Sequence, residues 1–285
     1  MTPTKKFFKK NRTLILLVAI LVLLLAIFIP VELKDKRVDN SKTDSDKKSN
    51  SLPPVIVSDT RNKVDVPILM YHHIRIYNNS EDKIGTNLSV SPENFKSQID
   101  YLKSNGYTTI SFSDLLNYPS KKLPDKPVII TFDDGYNDAY TNAFSLLKQN
   151  VQIGVFYVIS GFLGRPDFMT ASQVKELSDN KMAIGSHTVD HPSLITLSPT
   201  KLSSELIESK NSLEAIISKP VTSFCYPSGK NNTTVDDAVK TAGYLSATTT
   251  YSAISNTSED KYILPRLRIN STDSLKSFID KILNK

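Results

Sequence analysis

The chain has 285 residues, 39% hydrophobic and 22% charged, with 15 prolines, one cysteine, no tryptophan and a net charge of +6. It is too apolar and too long for a disordered tail, and a single cysteine excludes an internally disulfide-stapled scaffold, so a hydrophobic core must hold it together. Five net positive charges lie in residues 1–12 and two more in residues 13–63, which leaves −1 for residues 64–285 and excludes a basic nucleic-acid-binding face on the folded part.

Residues 1–12 carry Lys5, Lys6, Lys9, Lys10 and Arg12 with no acid and read as a cytoplasmic basic tail. Sixteen consecutive apolar residues follow at 14–29. At about 1.5 Å per residue, a helix over 14–31 spans about 27 Å, against roughly 30 Å of bilayer hydrocarbon. We read 13–31 as an uncleaved signal anchor. A cleaved signal peptide has a shorter apolar region and a small-x-small site, whereas Ala26 is the only small residue from 24 to 33. Lys and Arg stay on the cytoplasmic side, so the rest of a single-pass protein is expected outside the cell. Residues 32–63, polar and charged with Pro53-Pro54, are expected to form a flexible linker, and residues 64–285 one domain.

Within that domain, short apolar runs alternate with helical patterns, which predicts an α/β fold with a parallel sheet or barrel and helices outside. Strands are expected at 67–71, 107–110, 128–132, 153–159, 182–185, 222–226 and 244–248, with a further extended piece at 264–269. Seven or eight strands suggest a barrel. Ser91-Pro92-Glu93 starts a helix with Phe95, Ile99 and Leu102 on one face and Gly106 at its end. Ser198-Pro199 repeats that start ahead of Leu202, Leu206, Leu213 and Ile217, and Thr170 with Gln173 forms a capping-box pattern. Residues 141–148 and 272–283 also read as amphipathic helices.

The four histidines crowd into two short windows, at 72, 73, 187 and 191, each directly after an expected strand. That end of a barrel strand is where catalytic groups collect. Asp133-Asp134 follows the 128–132 strand in the same way. Neighbouring carboxylates on extended chain point to opposite sides, so one can ligate a metal while the other serves another role. His187 and His191 are four apart, and on a helical turn that spacing puts both imidazoles on one face. With one aspartate they complete a two-His, one-carboxylate set with positions open for water and substrate.

The segments TFDDG (131–135), SHTVDH (186–191) and FCYPSG (224–229), in this order and spacing, resemble the first three motifs of the polysaccharide deacetylases, carbohydrate esterase family 4 or the NodB homology domain. The resemblance spans about residues 64–270 and implies a distorted (β/α)7–8 barrel that removes acetyl groups from N-acetylglucosamine polymers or, less often, from xylan. It implies that Asp133 is the general base, that Asp134, His187 and His191 hold a metal, usually zinc although cobalt or nickel can serve, and that the Tyr226 backbone N–H helps bind the oxyanion. Members of the common type carry an Arg in the third motif, a Trp-containing fourth motif and a late catalytic His. This chain has Ser223-Phe224 there, no Trp and no His after 191.

VPILMYHHI (66–74) resembles instead the opening strand of the circularly permuted subgroup, which includes biofilm poly-N-acetylglucosamine deacetylases. There the acid His lies at the N-terminal end, and the match falls on His72. LPRLRIN (264–270) resembles that subgroup's late motif, which makes Arg266 either the orienter of Asp133 or an ordinary salt-bridge partner.

On a strand His73 points away from His72 and is assigned to packing or to support of the site. Cys225 reads as a buried core residue, and Tyr136 either lines a sugar cleft or caps the barrel. The partners expected are a carbohydrate polymer and, through the N-terminal helix, the membrane, with no nucleic acid. Two other functions fit the same residues: an O-deacetylase of a polysaccharide such as xylan, and a catalytically silent carbohydrate-binding homologue.

Overall fold

The computed structural model describes residues 63–284. The basic tail, the expected anchor and the linker up to residue 62 lie outside the described residues. Among the described residues no helix is long and apolar enough to cross a membrane.

The described chain opens with β1 (Asp65–Val66), β2 (Ile68–Tyr71) and β3 (His73–Ile74), then α1 (Lys83–Leu88) and β4 (Ser89–Val90), which pairs with β3 in parallel. Next come α2 (Pro92–Ser104), β5 (Thr108–Thr109), α3 (Phe112–Leu116) and β6 (Pro127–Phe132). A π-helical turn at Ala139–Phe144 runs into α4 (Ser145–Gln149), followed by β7 (Val155–Val158), α5 (Ala171–Asp179), β8 (Ala183–Ser186) and α6 (Pro199–Ile217). The chain then forms β9 (Ser223–Cys225), α7 (Thr233–Thr241), β10 (Ser246–Thr248), β11 (Ser255–Asn256), β12 (Leu267–Arg268) and α8 (Leu275–Ile282).

Eight strands form one sheet in the order β10-β9-β8-β7-β6-β2-β12, with β5 also on β6, and every pair is parallel. Alternation along each strand supplies two apolar faces, as a sheet covered on both sides requires. Leu69, Tyr71, Ile130, Phe132, Phe156 and Phe224 pack with the residues of the helices. Ile68, Ile129, Val155, Tyr157 and Cys225 pack together on the inner face.

The sheet curls into a half-barrel whose edges do not share a continuous ladder. Segment 261–266 bridges them: Leu264 N–H donates to Ala247 C=O (3.0 Å), Thr249 N–H to Leu264 C=O (3.0 Å) and Arg266 N–H to Tyr251 C=O (2.9 Å), before β12 joins β2. Of the expected extended piece 264–269, only two residues are ladder strand, because the rest spans this gap.

The three helix starts read from Ser91, Thr170 and Ser198 are N-caps, each side chain accepting a backbone N–H. The helix expected over 141–148 differs, since its first part winds as a π-helix. There Asn142 Nδ2 donates to Ile74 C=O (2.7 Å), tying the widened turn to β3. Three further helices, α1, α3 and α7, are short and capped by the side chains of Asp82, Ser111 and Asn232.

Candidate active site

Strand β6 delivers the two acids. Asp133 N–H still donates to Tyr71 C=O (2.9 Å), as a ladder residue does. Asp134 then takes φ 71° and Gly135 φ 83°, so the chain reverses and the carboxylates part company. Asp133 is buried against Arg266: Nη1 donates to Oδ1 at 2.7 Å and Nη2 to Oδ2 at 2.8 Å. The guanidinium also bonds Thr249 C=O (2.9 Å) and Thr131 Oγ1 (3.0 Å) and lies 3.1 Å from Cys225 Sγ. Burial by itself favours the neutral acid, but the Arg266 charge and its two hydrogen bonds outweigh it and hold Asp133 far below the usual carboxylate range. Arg266 is a bidentate partner of Asp133, and Cys225, expected only as core filler, borders both.

Asp134 meets the histidines. Its Oδ1 lies 3.2 Å from His187 Nε2 and 3.6 Å from His191 Nε2. His187 Nδ1 sits 2.7 Å from Cys225 C=O, so Nδ1 carries a proton and Nε2 is the nitrogen turned toward Asp134. Burial alone would depress protonation of His187, and neighbouring Cys225 and Asp134 more than offset that. For His191, burial and the His187 charge lower it.

The expected helical turn across 187–191 is not there. The segment is a loop in which Thr188 and His191 take φ 69° and 57°, because its main chain is tied from both sides. Val189 and Asp190 N–H donate to Oε2 of buried Glu205 on α6 (2.9 and 3.0 Å). Ser160 and Gly161 N–H donate to Thr188 and Val189 C=O (3.0 and 2.9 Å). A Cβ on Gly161 would lie 2.6 Å from Val189 C=O, so only glycine admits that approach. The imidazoles converge through tertiary ties rather than helical pitch. Asp134, Thr188, His191 and Ser228 all hold positive φ, which costs of order 1–3 kcal/mol per residue and clusters at functional sites.

His72 faces Asp133, its Nε2 3.9 Å from Oδ2. Its buried Nδ1 has no partner among the described residues, and burial first of all lowers its pKa. His73 points away: Nδ1 lies 2.7 Å from Asp138 Oδ2, and the ring stacks on Tyr136 at 3.6 Å. Tyr136 stacks in turn on Phe168 and walls a cavity of about 420 Å³ beside the site.

The Tyr226 N–H expected to serve the oxyanion is already engaged. It donates to Thr248 C=O at 3.1 Å, because the pairing of β9 with β10 continues one residue past the strand. Pro227 has no N–H. Ser228 N–H, held at φ 56°, is the first main-chain donor of this loop without an acceptor among the described residues. Gly229 must be glycine, since a Cβ there would lie 2.1 Å from Thr250 Oγ1.

The donor set fits a divalent cation. One carboxylate oxygen and two imidazole nitrogens lie within 4.8 Å of one another. The 3.2 and 3.6 Å separations bracket the roughly 3.3 Å between ligand atoms of a tetrahedral site with bonds near 2.0–2.1 Å. A second grouping, Asp133 with His187 and Cys225, fits less well because Arg266 occupies Asp133 and touches the sulfur.

A curled parallel α/β sheet carries at its C-terminal mouth a carboxylate and two imidazoles that could hold a cation, with an ion-paired aspartate beside them, the arrangement of an enzyme site built on strand ends. The family described as Polysaccharide deacetylase matches residues 120–247. YxkH of Bacillus subtilis (strain 168), whose name assigns it to the polysaccharide deacetylases, is 31% identical over 221 residues, 77% of this chain and 76% of that protein. The poly-β-1,6-N-acetyl-D-glucosamine N-deacetylase of Staphylococcus aureus (strain MSSA476) is 27% identical over 286 residues, 92% of this chain and 95% of that one. The Streptococcus pyogenes deacetylase PplD in complex with acetate superposes with a TM-score of 0.73 at 29% identity, covering 78% of this chain and 99% of that one. The chain belongs to the polysaccharide deacetylase family and is a hydrolase of polysaccharide amide bonds.

Proposed function

We propose that the chain removes N-acetyl groups from an N-acetylglucosamine-containing cell-surface polymer, poly-N-acetylglucosamine or peptidoglycan, with a resident divalent ion, zinc by preference. The observation that carries this reading is the placement of Asp134 Oδ1 at 3.2 and 3.6 Å from two imidazoles, beside an Asp133 locked to Arg266. Asp134, His187 and His191 would hold the ion, which supplies Lewis-acid polarisation of the amide carbonyl and of water.

Asp133 accepts the attacking water's proton. Arg266 fixes both of its oxygens and keeps it ionised, so its orientation is set before substrate arrives. His72, with Nε2 3.9 Å from Asp133 Oδ2, takes over the proton that Asp133 accepts from water and passes it to the departing amine, a leaving group too basic to depart unprotonated. Ser228 N–H is the donor this loop has left for the developing oxyanion. For location we propose that residues 13–31 anchor the chain in the membrane with the enzyme domain outside, on the strength of sixteen apolar residues behind a Lys/Arg cluster.

The test is acetate release by the full chain, supplied with zinc, from poly-N-acetylglucosamine, peptidoglycan and acetylxylan. Release from the first or second supports the reading. Release from xylan alone makes the enzyme an O-deacetylase, and release from none makes it a silent homologue.

A further inference from the structure

LPRLRIN carries two arginines, and the mechanism above uses only Arg266. In the sheet Arg268 lies beside Met70, and Met70 beside Thr131. Residues paired across a parallel ladder project to the same face. Thr131 presents its hydroxyl to Arg266 on the inner face, so Arg268 projects there too, two residues nearer the C-terminal mouth than Arg266. It is half-buried. Burial, foremost, and the Arg266 charge work against its protonated form, while Asp133 and Asp134 favour it, so its charge is felt at the reacting centre.

The other three arginines of the described chain are provided for. Arg266 is saturated by Asp133, Thr131 and Thr249. Arg75 bonds Ser89 and lies over Tyr77, and Arg165 lies over Phe162. The Arg268 guanidinium has no hydrogen bond, ion pair or aromatic partner among the described residues. Asp133 is matched one-to-one by Arg266, which leaves Arg268 as an extra cation at the mouth of the site. A partly desolvated guanidinium without a partner gains most from an oxyanion, which it binds through two parallel N–H donors. A neutral polymer leaves it unmatched, and that difference is specificity.

We propose that Arg268 binds a carboxylate carried by the polymer close to the reacting acetamido group, so that the enzyme prefers an acidic polysaccharide to a neutral one. The proposal rests on the deacetylase reading above and names its substrate class.

The test compares an oligosaccharide of alternating N-acetylglucosamine and N-acetylmuramic acid with its carboxyl methyl ester, which keeps the scaffold and removes the charge. For the full chain with zinc, kcat/KM for acetate release is expected to be about tenfold higher on the acid, carried mainly by KM and shrinking as salt rises. In Arg268→Gln the two values converge, and Arg268→Lys, which keeps the charge and loses the fork, retains part of the difference. A ratio near one in the unaltered chain overturns the proposal without any variant, as does a ratio that survives intact in Arg268→Gln. Equal release from both substrates leaves deacetylation standing and removes the role of Arg268. Release from neither removes the deacetylase reading and the proposal with it.

Discussion

Asp133 and Asp134 are the same residue type, adjacent in sequence, and the fold gives them opposite surroundings. Asp133 is closed in, both oxygens taken by a guanidinium that is itself fully buried. Asp134 sits one residue on, in a left-handed turn, facing two imidazoles, one of which has a side chain 31% exposed. One carboxylate is matched by a cation of the chain before any ligand arrives. The other is offered to a cation from outside. On the reading proposed above, a single β6 terminus supplies both a fixed base and a ligand: strand alternation parts the two carboxylates, and the reversal at Asp134 and Gly135 leaves the second facing His187 and His191.

The sharpest way to break this contrast is Asp133→Asn. Acetate release is expected to fall by about 10²–10⁴-fold, the usual share of a general base, while zinc stoichiometry measured on the purified variant stays at one per chain. Loss of the metal along with activity would merge the two roles that the geometry separates. Arg266→Ala attacks the same half through stability. It strands a buried carboxylate, and denaturant unfolding is expected to show a loss of about 3–5 kcal/mol.

Acid sharpens the comparison further. The Asp133 pKa is depressed in the folded chain, so the pair's stabilisation is complete above the ordinary carboxylate range. It is lost only as pH falls through the lower folded value. Unfolding free energies of Arg266→Ala should therefore decline less than those of the unaltered chain on going from neutral pH into strong acid.

His72→Ala tests the leaving-group side, where a loss of about 10²-fold on an amide and distinctly less on an ester of the same sugar is expected, read as the ratio of acetate-release rates. An equal loss on both would remove His72 as the acid. The smallest effect expected is at Glu205, which touches no ligand atom and holds the ligand loop. Glu205→Ala should weaken cobalt binding, followed by its visible absorption, by about 10–100-fold. Glu205→Gln, which keeps an acceptor for Val189 and Asp190 N–H, should recover most of it.

Much of the frame is legible locally, because a strand buried on both faces must be a short apolar run and a helix start needs a capping oxygen. Residues 128–132 and 153–159 announce β6 and β7 in this way, and Ser91, Thr170 and Ser198 announce three helices. The positions of the two acids and four histidines directly after strands also place the site at one end of the sheet. Which of Asp133 and Asp134 joins the two histidines is not decided by their order in the chain and enters only as what the family resemblance implies.

Tertiary structure alone decided how those groups meet. His187 and His191 converge through Glu205, Ser160 and Gly161, residues distant in sequence whose hydrogen bonds override the helical geometry that a four-residue spacing suggests. Whether Arg266 is an orienter or a casual ion pair depends on a contact 133 residues away in the chain. Tyr226 loses its N–H to Thr248 because β10 lies beside β9. Sequence specifies which groups are available and the local conformations they prefer. Long-range pairing decides which donors are spent, which charges are matched and which remain for substrate, because hydrogen bonds and charges are satisfied by neighbours in space.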